Sequence, residues 1–271
     1  MNKPILYLEC YSGISGDMAV AALLDLGADA AELERVLNSL ALPEFRIQIG
    51  KVKKNGISAT DFQVILEDGE PDAGASAHGP QTHSHEGECR HHREAGRSHA
   101  HRNLADVCEI LDRADTTEQV KNRAKEMFRL VAEAEAAVHG LPLEQVHFHE
   151  VGAVDSIVDF LAAAFCLENL GVHDVVVSAL SEGQGMIRCQ HGRIPVPAPA
   201  VAQIAAAHGL PLRITDVMGE LVTPTGAAIA AASRTRERLP EKFVIRRIGV
   251  GAGKRNYDAP NILRVMWVEE T

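Results

Sequence analysis

One internal segment limits how this chain can fold, because it lacks the residues that build a core. Residues 71–102 contain no Leu, Ile, Val or Phe and are rich in Gly, Ala, Ser and His. Such a stretch buries too little apolar surface to offset the conformational entropy lost on ordering. We therefore expect a flexible His-rich loop between two folding regions, 1–70 and 103–271. These regions form either two units or one domain that the loop interrupts.

The apolar pattern on both sides of this loop predicts a mixture of strands and helices. In the first region we predict a buried strand at 4–10 and helices at 17–26 and 30–40. We also predict a hairpin, in which the strands 45–52 and 57–66 are joined by a turn at Asn55-Gly56. In the second region we predict helices at 104–113, 117–139, 153–170, 199–208 and from Thr223-Pro224, and strands at 174–180, 243–249 and 262–268. The order is not a regular βαβ alternation. The predicted fold class is therefore mixed α/β with α+β favoured, a small strand-helix-hairpin unit followed by a larger helix-rich α/β unit.

Charge and composition exclude several function classes. Lys and Arg number 27 against 37 Asp and Glu, a formal net charge of −10, so neither nucleic acid nor anionic lipid is an expected partner. The longest central apolar stretch, 160–167, is far too short to span a membrane, and the start of the chain does not read as a secretory signal. The five cysteines are scattered and form no CxxC pair, which predicts a reduced, cytoplasmic protein. The sequence leaves open whether identical chains associate.

Histidine is concentrated in the loop. Seven of the 13 histidines lie there: His78, His83, His85, His91, His92, His99 and His101. Neutral imidazole is a natural ligand for Ni²⁺, Cu²⁺ and Zn²⁺, and His-rich tracts are typical of metal binding. The alternative is a solvated linker that binds metal incidentally. Because catalysis needs a rigid frame, we predict collection or delivery of an ion here rather than chemistry.

A second group of metal-ligand side chains surrounds the start of the predicted helix 153–170. It consists of His147, His149, Glu150, Asp155 and Asp159. Asp155 and Asp159 are one helical turn apart on one face, so they repel each other unless a cation or the helix N-terminus offsets their charge. The group could hold a metal through mixed nitrogen and oxygen ligands. The alternative is two acids favoured by the helix dipole beside ordinary loop histidines.

Two glycine-containing turns at predicted helix starts could bind an anion. The first contains Ser12, Gly13, Ser15 and Gly16 followed by Asp17, and the second contains Thr223, Thr225 and Gly226. Backbone N–H groups at a helix start suit a phosphate, although neither turn matches a P-loop or dinucleotide motif. The alternative for each is an ordinary capped helix start. The glycine-rich run 249–255 could likewise be a plain hairpin loop or face a phosphate.

Five blocks taken together resemble one family. YSGISGDM at 11–18, HFHEVGAVDSIVD at 147–159, HGRIPVPAPA at 191–200, GELVTPTGAA at 219–228 and PNILRV at 260–265 are similar, in this order, to the LarC family of nickel-insertion proteins. The resemblance implies that the protein inserts Ni²⁺ into pyridinium-3,5-bisthiocarboxylic acid mononucleotide. The implied product is the nickel-pincer cofactor of lactate racemase, in which the metal is bound to carbon and sulfur.

The resemblance also implies cofactors, partners and site residues. Family members use CTP with Mn²⁺ or Mg²⁺, and they continue well beyond the PNILRV block. The chain therefore resembles the N-terminal, nickel-gathering portion, which we expect to act with a C-terminal LarC region or partner chain as a cyclometallating lyase. The candidate catalytic residues are Asp17, His149, Glu150 and Asp155. The two turns would bind the mononucleotide acceptor, and both His groups with Asp155 and Asp159 would bind the metal.

Two other functions fit parts of the same pattern. One is a non-catalytic nickel store or metallochaperone, in which the loop binds the metal and the folded part only docks on a partner. The other is an enzyme for a phosphorylated ligand whose His-rich loop is incidental. Metal binding by a variant without residues 78–101 distinguishes these two functions from nickel insertion. Only the insertion function predicts that a tighter metal site of smaller capacity remains in the folded part.

Overall fold

The computed structural model describes residues 4–40, 42, 45–66, 102–146, 148, 154–189 and 191–271. The strands within these ranges are β1 Pro4–Glu9, β2 Phe45–Lys54, β3 Ile57–Leu66, β4 Asp174–Val177, β5 Leu180–Gln184, β6 Met186–Cys189, β7 Gly192–Pro195, β8 Leu212–Met218, β9 Phe243–Ala252 and β10 Ile262–Glu270. The helices are α1 Gly16–Leu26, α2 Ala30–Asn38, α3 Leu104–Asp112, α4 Glu118–His139, α5 Val154–Asn169, α6 Pro199–His208 and α7 Pro224–Ser233, with a 3₁₀ turn at Leu143–Gln145. The predicted mixed α/β class is confirmed.

A six-stranded sheet in the order β2-β3-β9-β10-β1-β4 organises the fold. β1 is antiparallel to β10 and parallel to β4, and it therefore lies in the interior of the sheet. This position explains its sequence, because Ile5–Leu8 is buried on both faces rather than alternating with polar residues. The sheet draws strands from both sides of the His-rich segment, while the division into domains stays a prediction.

Helix α1 lies directly on β9, and glycine makes this approach feasible. A Cβ atom added at Gly251 would lie 2.0 Å from the carbonyl oxygen of Met18, and one added at Gly249 would lie 2.1 Å from that of Ala22. Both distances are far shorter than a carbon–oxygen contact. The predicted end of this strand at 249 was wrong, since β9 continues to Ala252, and only residues 253–255 of the predicted loop 249–255 lie beyond the strand. The glycines of the strand serve packing rather than a turn.

A helical layer covers the same face of the sheet as α1. Helices α4 and α5 pack against each other through Phe128 and Phe160, whose rings meet edge to face with centroids 4.6 Å apart. Phe148 adds a second edge contact to Phe128 at 5.7 Å. Helices α6 and α7 pack on α4. None of the helices in the described part of the chain is long and apolar enough to cross a membrane.

Polar side chains cap the N-termini of several of these helices. Asp29 accepts hydrogen bonds from the backbone N–H groups of Ala31 and Glu32, both at 3.0 Å. Asn103 and Asp106 form a reciprocal capping box at α3. Such caps satisfy backbone donors that have no partner inside the helix and contribute about 1 kcal/mol each.

Four short strands were missed by sequence analysis. β5 pairs in parallel with β8, and β6 pairs with β7 as a hairpin. The predicted strand 174–180 is in fact two elements, because β4 ends at Val177 and β5 begins at Leu180. Between them the Ser178 hydroxyl accepts the backbone N–H of Cys10 at 2.9 Å. β5, β6 and β7 have only four or five residues, too few to show an apolar alternation, and the seven-residue β8 contains no buried residue.

The close approach of α1 and β9 predicts an unequal response to alanine at two strand glycines. Gly251→Ala should lower the free energy of unfolding by about 2 kcal/mol or more, because the helix must move away. Gly50 in β2 is the matched control, since a Cβ there meets nothing within 4 Å, and Gly50→Ala should change stability by less than about 1 kcal/mol. Urea denaturation measures both, and equal losses would contradict this account of the packing.

Candidate functional site

The turn between β1 and α1 is fixed against the segment that precedes α7. The backbone N–H of Ile14 donates to the Leu221 carbonyl at 3.0 Å, and the Ile14 carbonyl accepts from the Thr223 N–H at 3.1 Å. Gly13 has φ +88°, and a Cβ atom there would lie 2.1 Å from the Leu221 oxygen. Glycine is therefore required at this position both by conformation and by space.

The start of α7 packs on the same turn. The Thr223 hydroxyl accepts the Gly226 N–H at 3.1 Å as the helix cap and lies 2.8 Å from the Thr225 hydroxyl. A Cβ atom at Gly226 would lie 2.1 Å from the Ile14 carbonyl oxygen. The two turns predicted separately as anion sites are thus neighbours, and the N-termini of α1 and α7 meet at one place.

Carboxylates lie beside this junction. Asp159 packs directly on the start of α1, since a Cβ atom at Gly16 would lie 2.2 Å from its Oδ2. Burial raises the pKa of Asp159 well above its usual range, and the nearby charges of Asp17 and Asp155 raise it further, while Lys254 opposes them. The structure thus brings Asp17 and Asp155, predicted from distant blocks, within electrostatic range of Asp159.

Asp17 is the acid at the first turn of α1. Burial raises its pKa, although its carboxylate accepts hydrogen bonds from the Ser15 hydroxyl and from the Met18 backbone N–H, the latter at 2.9 Å. Asp155 accepts the N–H of Ser156 at 2.7 Å at the first turn of α5. Groups whose pKa is raised by burial and by like charge are typical of functional sites.

The run 249–255 contributes cations that already have partners. Lys254 donates to the Asp61 carboxylate at 2.5 Å and to the Phe62 carbonyl at 2.8 Å. Arg255 donates to Glu220 twice, to its carboxylate at 2.9 Å and to its carbonyl at 2.6 Å. Lys254 belongs to the run predicted as a hairpin loop or a phosphate-facing loop, but its partner Asp61 was missed, because their pairing joins β3 to the β9–β10 connection.

The predicted metal ligands are only partly placed. His78, His83, His85, His91, His92, His99, His101, His147, His149 and Glu150 lie outside the described residues. Among the residues that the structure does describe, no group of three or more His, Cys, Asp or Glu side chains is assembled to hold a metal ion. Among the described residues, the three aspartates therefore do not form a metal coordination sphere by themselves.

Glu182 is a buried acid that sequence analysis missed. Its side chain is fully buried in β5, and Oε1 accepts backbone N–H groups from Gly183, Leu221 and Val222 at 2.8, 2.7 and 3.1 Å. Oε2 has no hydrogen-bond partner among the described residues. Burial raises the pKa of Glu182 to about 7, against the effect of the three N–H groups. This carboxyl fixes the segment that holds the Ile14 turn.

A cleft borders the Tyr11–Ser12 turn and Leu221. It encloses about 440 Å³, including space open to solvent, and is lined by Tyr11, Ser12, Thr215, Asp216, Val217, Leu221, Tyr257, Ala259 and Pro260. Tyr11 is 56% exposed, whereas the Tyr257 hydroxyl is fixed by donating to the Glu220 carbonyl at 2.9 Å. Sequence analysis missed this cleft because the two tyrosines are far apart in the chain.

Comparison with known proteins identifies the relatives of this chain. The family model described as nickel insertion protein matches residues 6–271. Proteins called pyridinium-3,5-bisthiocarboxylic acid mononucleotide nickel insertion protein match at 51% identity in Alkaliphilus metalliredigens and 44% in Geobacillus kaustophilus, each over 98% of this chain and 60% of the relative. A putative nickel insertion protein of Dictyoglomus thermophilum is 39% identical over 96% of this chain and 59% of its own. The chain thus spans about 60% of these relatives, and no solved structure matches it.

The Glu182 carboxyl predicts how stability depends on pH. Its pKa is about 7 in the folded chain against an ordinary value of 4.5, so between these values the folded state binds more protons than the unfolded state. Its contribution is complete below pH 4.5 and is lost as the pH rises through 7, a change of roughly 3 kcal/mol. Glu182→Gln keeps an oxygen acceptor and never ionises, so it should flatten the decline in the free energy of unfolding.

Urea denaturation between about pH 5 and 8 measures this slope. Glu241→Gln, at an exposed position, is the matched control and should leave the slope unchanged. Identical slopes for Glu182→Gln and the unaltered chain would show that this carboxyl does not titrate as described.

Proposed function

Because the chain belongs to the nickel insertion protein family, we propose that it binds Ni²⁺ and a pyridinium mononucleotide and brings the two together for insertion. The observation that carries this proposal is the meeting of the α1 and α7 starts at the Ile14 turn, beside the three aspartates. In this proposal the helix starts suit a phosphate, and the three aspartates suit a divalent cation. The relatives are longer than this chain, so the complete reaction is assigned to the longer protein.

The acceptor named for the relatives combines a cationic aromatic ring, two thiocarboxylates and a phosphate. We place the phosphate at the paired helix starts, where backbone N–H groups and helix dipoles favour an anion. We place the ring in the adjacent cleft against Tyr11 and Tyr257, since a cationic ring is attracted to aromatic faces. Asp216, which also lines this cleft, would offset the positive charge of the ring.

The metal belongs on the carboxylate side. The charges of Asp17 and Asp155 add to the cost of ionising the buried Asp159, and a bound divalent cation would offset that cost. His147, His149 and Glu150 complete the proposed ligand set, and the histidines of the loop collect the ion. Nitrogen and oxygen ligands together suit a borderline ion such as Ni²⁺.

Carbon–nickel bond formation requires a base. When a ring carbon gains its bond to Ni²⁺, its C–H bond breaks and the proton must leave, with no change in oxidation state. Asp17, His149, Glu150 and Asp155 are the proposed proton acceptors or ligands for this lyase-type step. We assign no described residue to CTP or to its Mn²⁺ or Mg²⁺, whose place we expect in the C-terminal region or partner chain. The cytoplasmic location stays a prediction.

Nickel titration calorimetry tests the metal side. A variant without residues 78–101 should retain a tight site at the aspartates, and adding Asp155→Asn and Asp159→Asn should weaken that site at least tenfold, because two anionic ligands are lost. Asp258→Asn, at an exposed position, is the control and should have no effect. Loss of all binding on removal of 78–101 would instead favour the nickel store or metallochaperone.

Binding of nicotinic acid mononucleotide, another pyridinium mononucleotide, tests the acceptor side. Tyr11→Leu should weaken its affinity about 5- to 30-fold, because an aromatic face contributes about 1–2 kcal/mol to binding a cationic ring. Tyr11→Phe keeps the ring and should bind as the unaltered chain does. Equal affinities for all three proteins, measured by calorimetry, would place the ring outside this cleft.

A further inference from the structure

A second group of metal-ligand side chains lies where the β6–β7 hairpin meets the last turn of α4. In the hairpin, Sγ of Cys189 lies 3.9 Å from Nδ1 of His191. The imidazole of His139, at the end of α4, lies with its centroid 5.0 Å from that of His191. The hairpin that carries Cys189 and His191 is far from α4 in the sequence, and none of the three side chains belongs to the carboxylate site.

These distances are those of ligands that share an ion. With metal–thiolate and metal–imidazole bonds of about 2.3 and 2.0–2.1 Å, sulfur and nitrogen lie about 3.6 Å apart at a tetrahedral angle. The observed 3.9 Å for Cys189 and His191 differs by only a few tenths of an ångström. Two imidazoles on one ion at a tetrahedral angle have ring centroids about 5.2 Å apart, and the 5.0 Å between the His139 and His191 centroids is close to this value.

A carboxylate orients the histidine of α4. Glu135, one helical turn before His139, lies 3.2 Å from its Nε2. A proton on Nε2 donated to this carboxylate leaves Nδ1 of the ring as the ligand atom. Carboxylate–histidine pairs of this kind fix the tautomer and raise the basicity of metal-binding imidazoles.

The group is accessible and incompletely assembled. Cys189 is half-buried and His191 is exposed, so an ion could reach them from solvent. Within the described ranges no group of three or more His, Cys, Asp or Glu side chains is assembled to hold a metal ion, so Cys189 and His191 would take the ion first, and His139 would join them by a shift that it shares with Glu135. A site with few protein ligands exchanges its ion readily, as a transfer step requires.

We propose that Cys189, His191 and His139 form a thiolate–imidazole docking site for a borderline divalent ion, distinct from the aspartates in its ligands. Binding breaks the S–H bond of Cys189, forms a metal–sulfur bond and releases the proton to solvent. The identity of the ion as nickel rests on the proposed function. In this proposal the ion is captured first by the softer thiolate and imidazole ligands and is then transferred to the harder carboxylate ligands.

The test is a titration of the full chain with Ni²⁺ to saturation, followed through the near-ultraviolet charge-transfer absorption of a nickel–thiolate bond. We expect a band that saturates at one ion. Cys189→Ser should abolish it, and His191→Ala and His139→Ala should each weaken the affinity read from it at least tenfold. Circular dichroism of each variant establishes that it folds.

Cys89→Ser is the matched control, because Cys89 lies among the loop histidines, and it should leave the band unchanged. The proposal is overturned by the absence of a band at saturation, by a band that persists in Cys189→Ser, or by its loss in Cys89→Ser. A band that depends on Cys189 in a protein that binds no mononucleotide would uphold this site and refute the proposed function. Mononucleotide binding without the band would do the reverse.

Discussion

Two backbone hydrogen bonds, from Ile14 to Leu221 and from Thr223 back to Ile14, join the turn between β1 and α1 to the segment before α7 at the candidate site. Because these bonds bring the starts of α1 and α7 together, the glycines at 13 and 226 have no room for a side chain. Glu182 fixes the same segment, because its carboxylate accepts the backbone N–H groups of Leu221 and Val222. A substitution that disrupts this junction would therefore displace the proposed acceptor site and the aspartates together.

The site retains polar groups that oppose folding. Burial raises the pKa values of Asp17, Asp159 and Glu182, so each is costly to ionise where it lies. A sequence selected for stability alone would replace them, since buried charges are stabilising only when they are paired. Lys254 compensates in part, and a divalent cation beside the aspartates would compensate further. The cost is understandable if these groups serve binding rather than stability.

Local signals allowed much of the fold to be predicted from the sequence, and non-local contacts explain the rest. The caps at Asn103 and Thr223 and the buried run of β1 act within a few residues, and the predicted elements were confirmed there. The pairing of Ile14 with Leu221 has no local signature, so two adjacent turns were predicted as unrelated sites. The glycines of β9 were assigned to a loop, because the close packing of α1 that requires them cannot be read from the local sequence. Glu182 lies in a strand too short to show a pattern.

The central claim is that metal and acceptor meet at the Ile14 turn. It is tested most directly by crystals of the chain grown with Ni²⁺ and the mononucleotide acceptor, with diffraction recorded above and below the nickel absorption edge. The account predicts an anomalous peak beside Asp17 and Asp159, with the phosphate at the starts of α1 and α7. Nickel peaks and acceptor density that both lie away from this junction would contradict it.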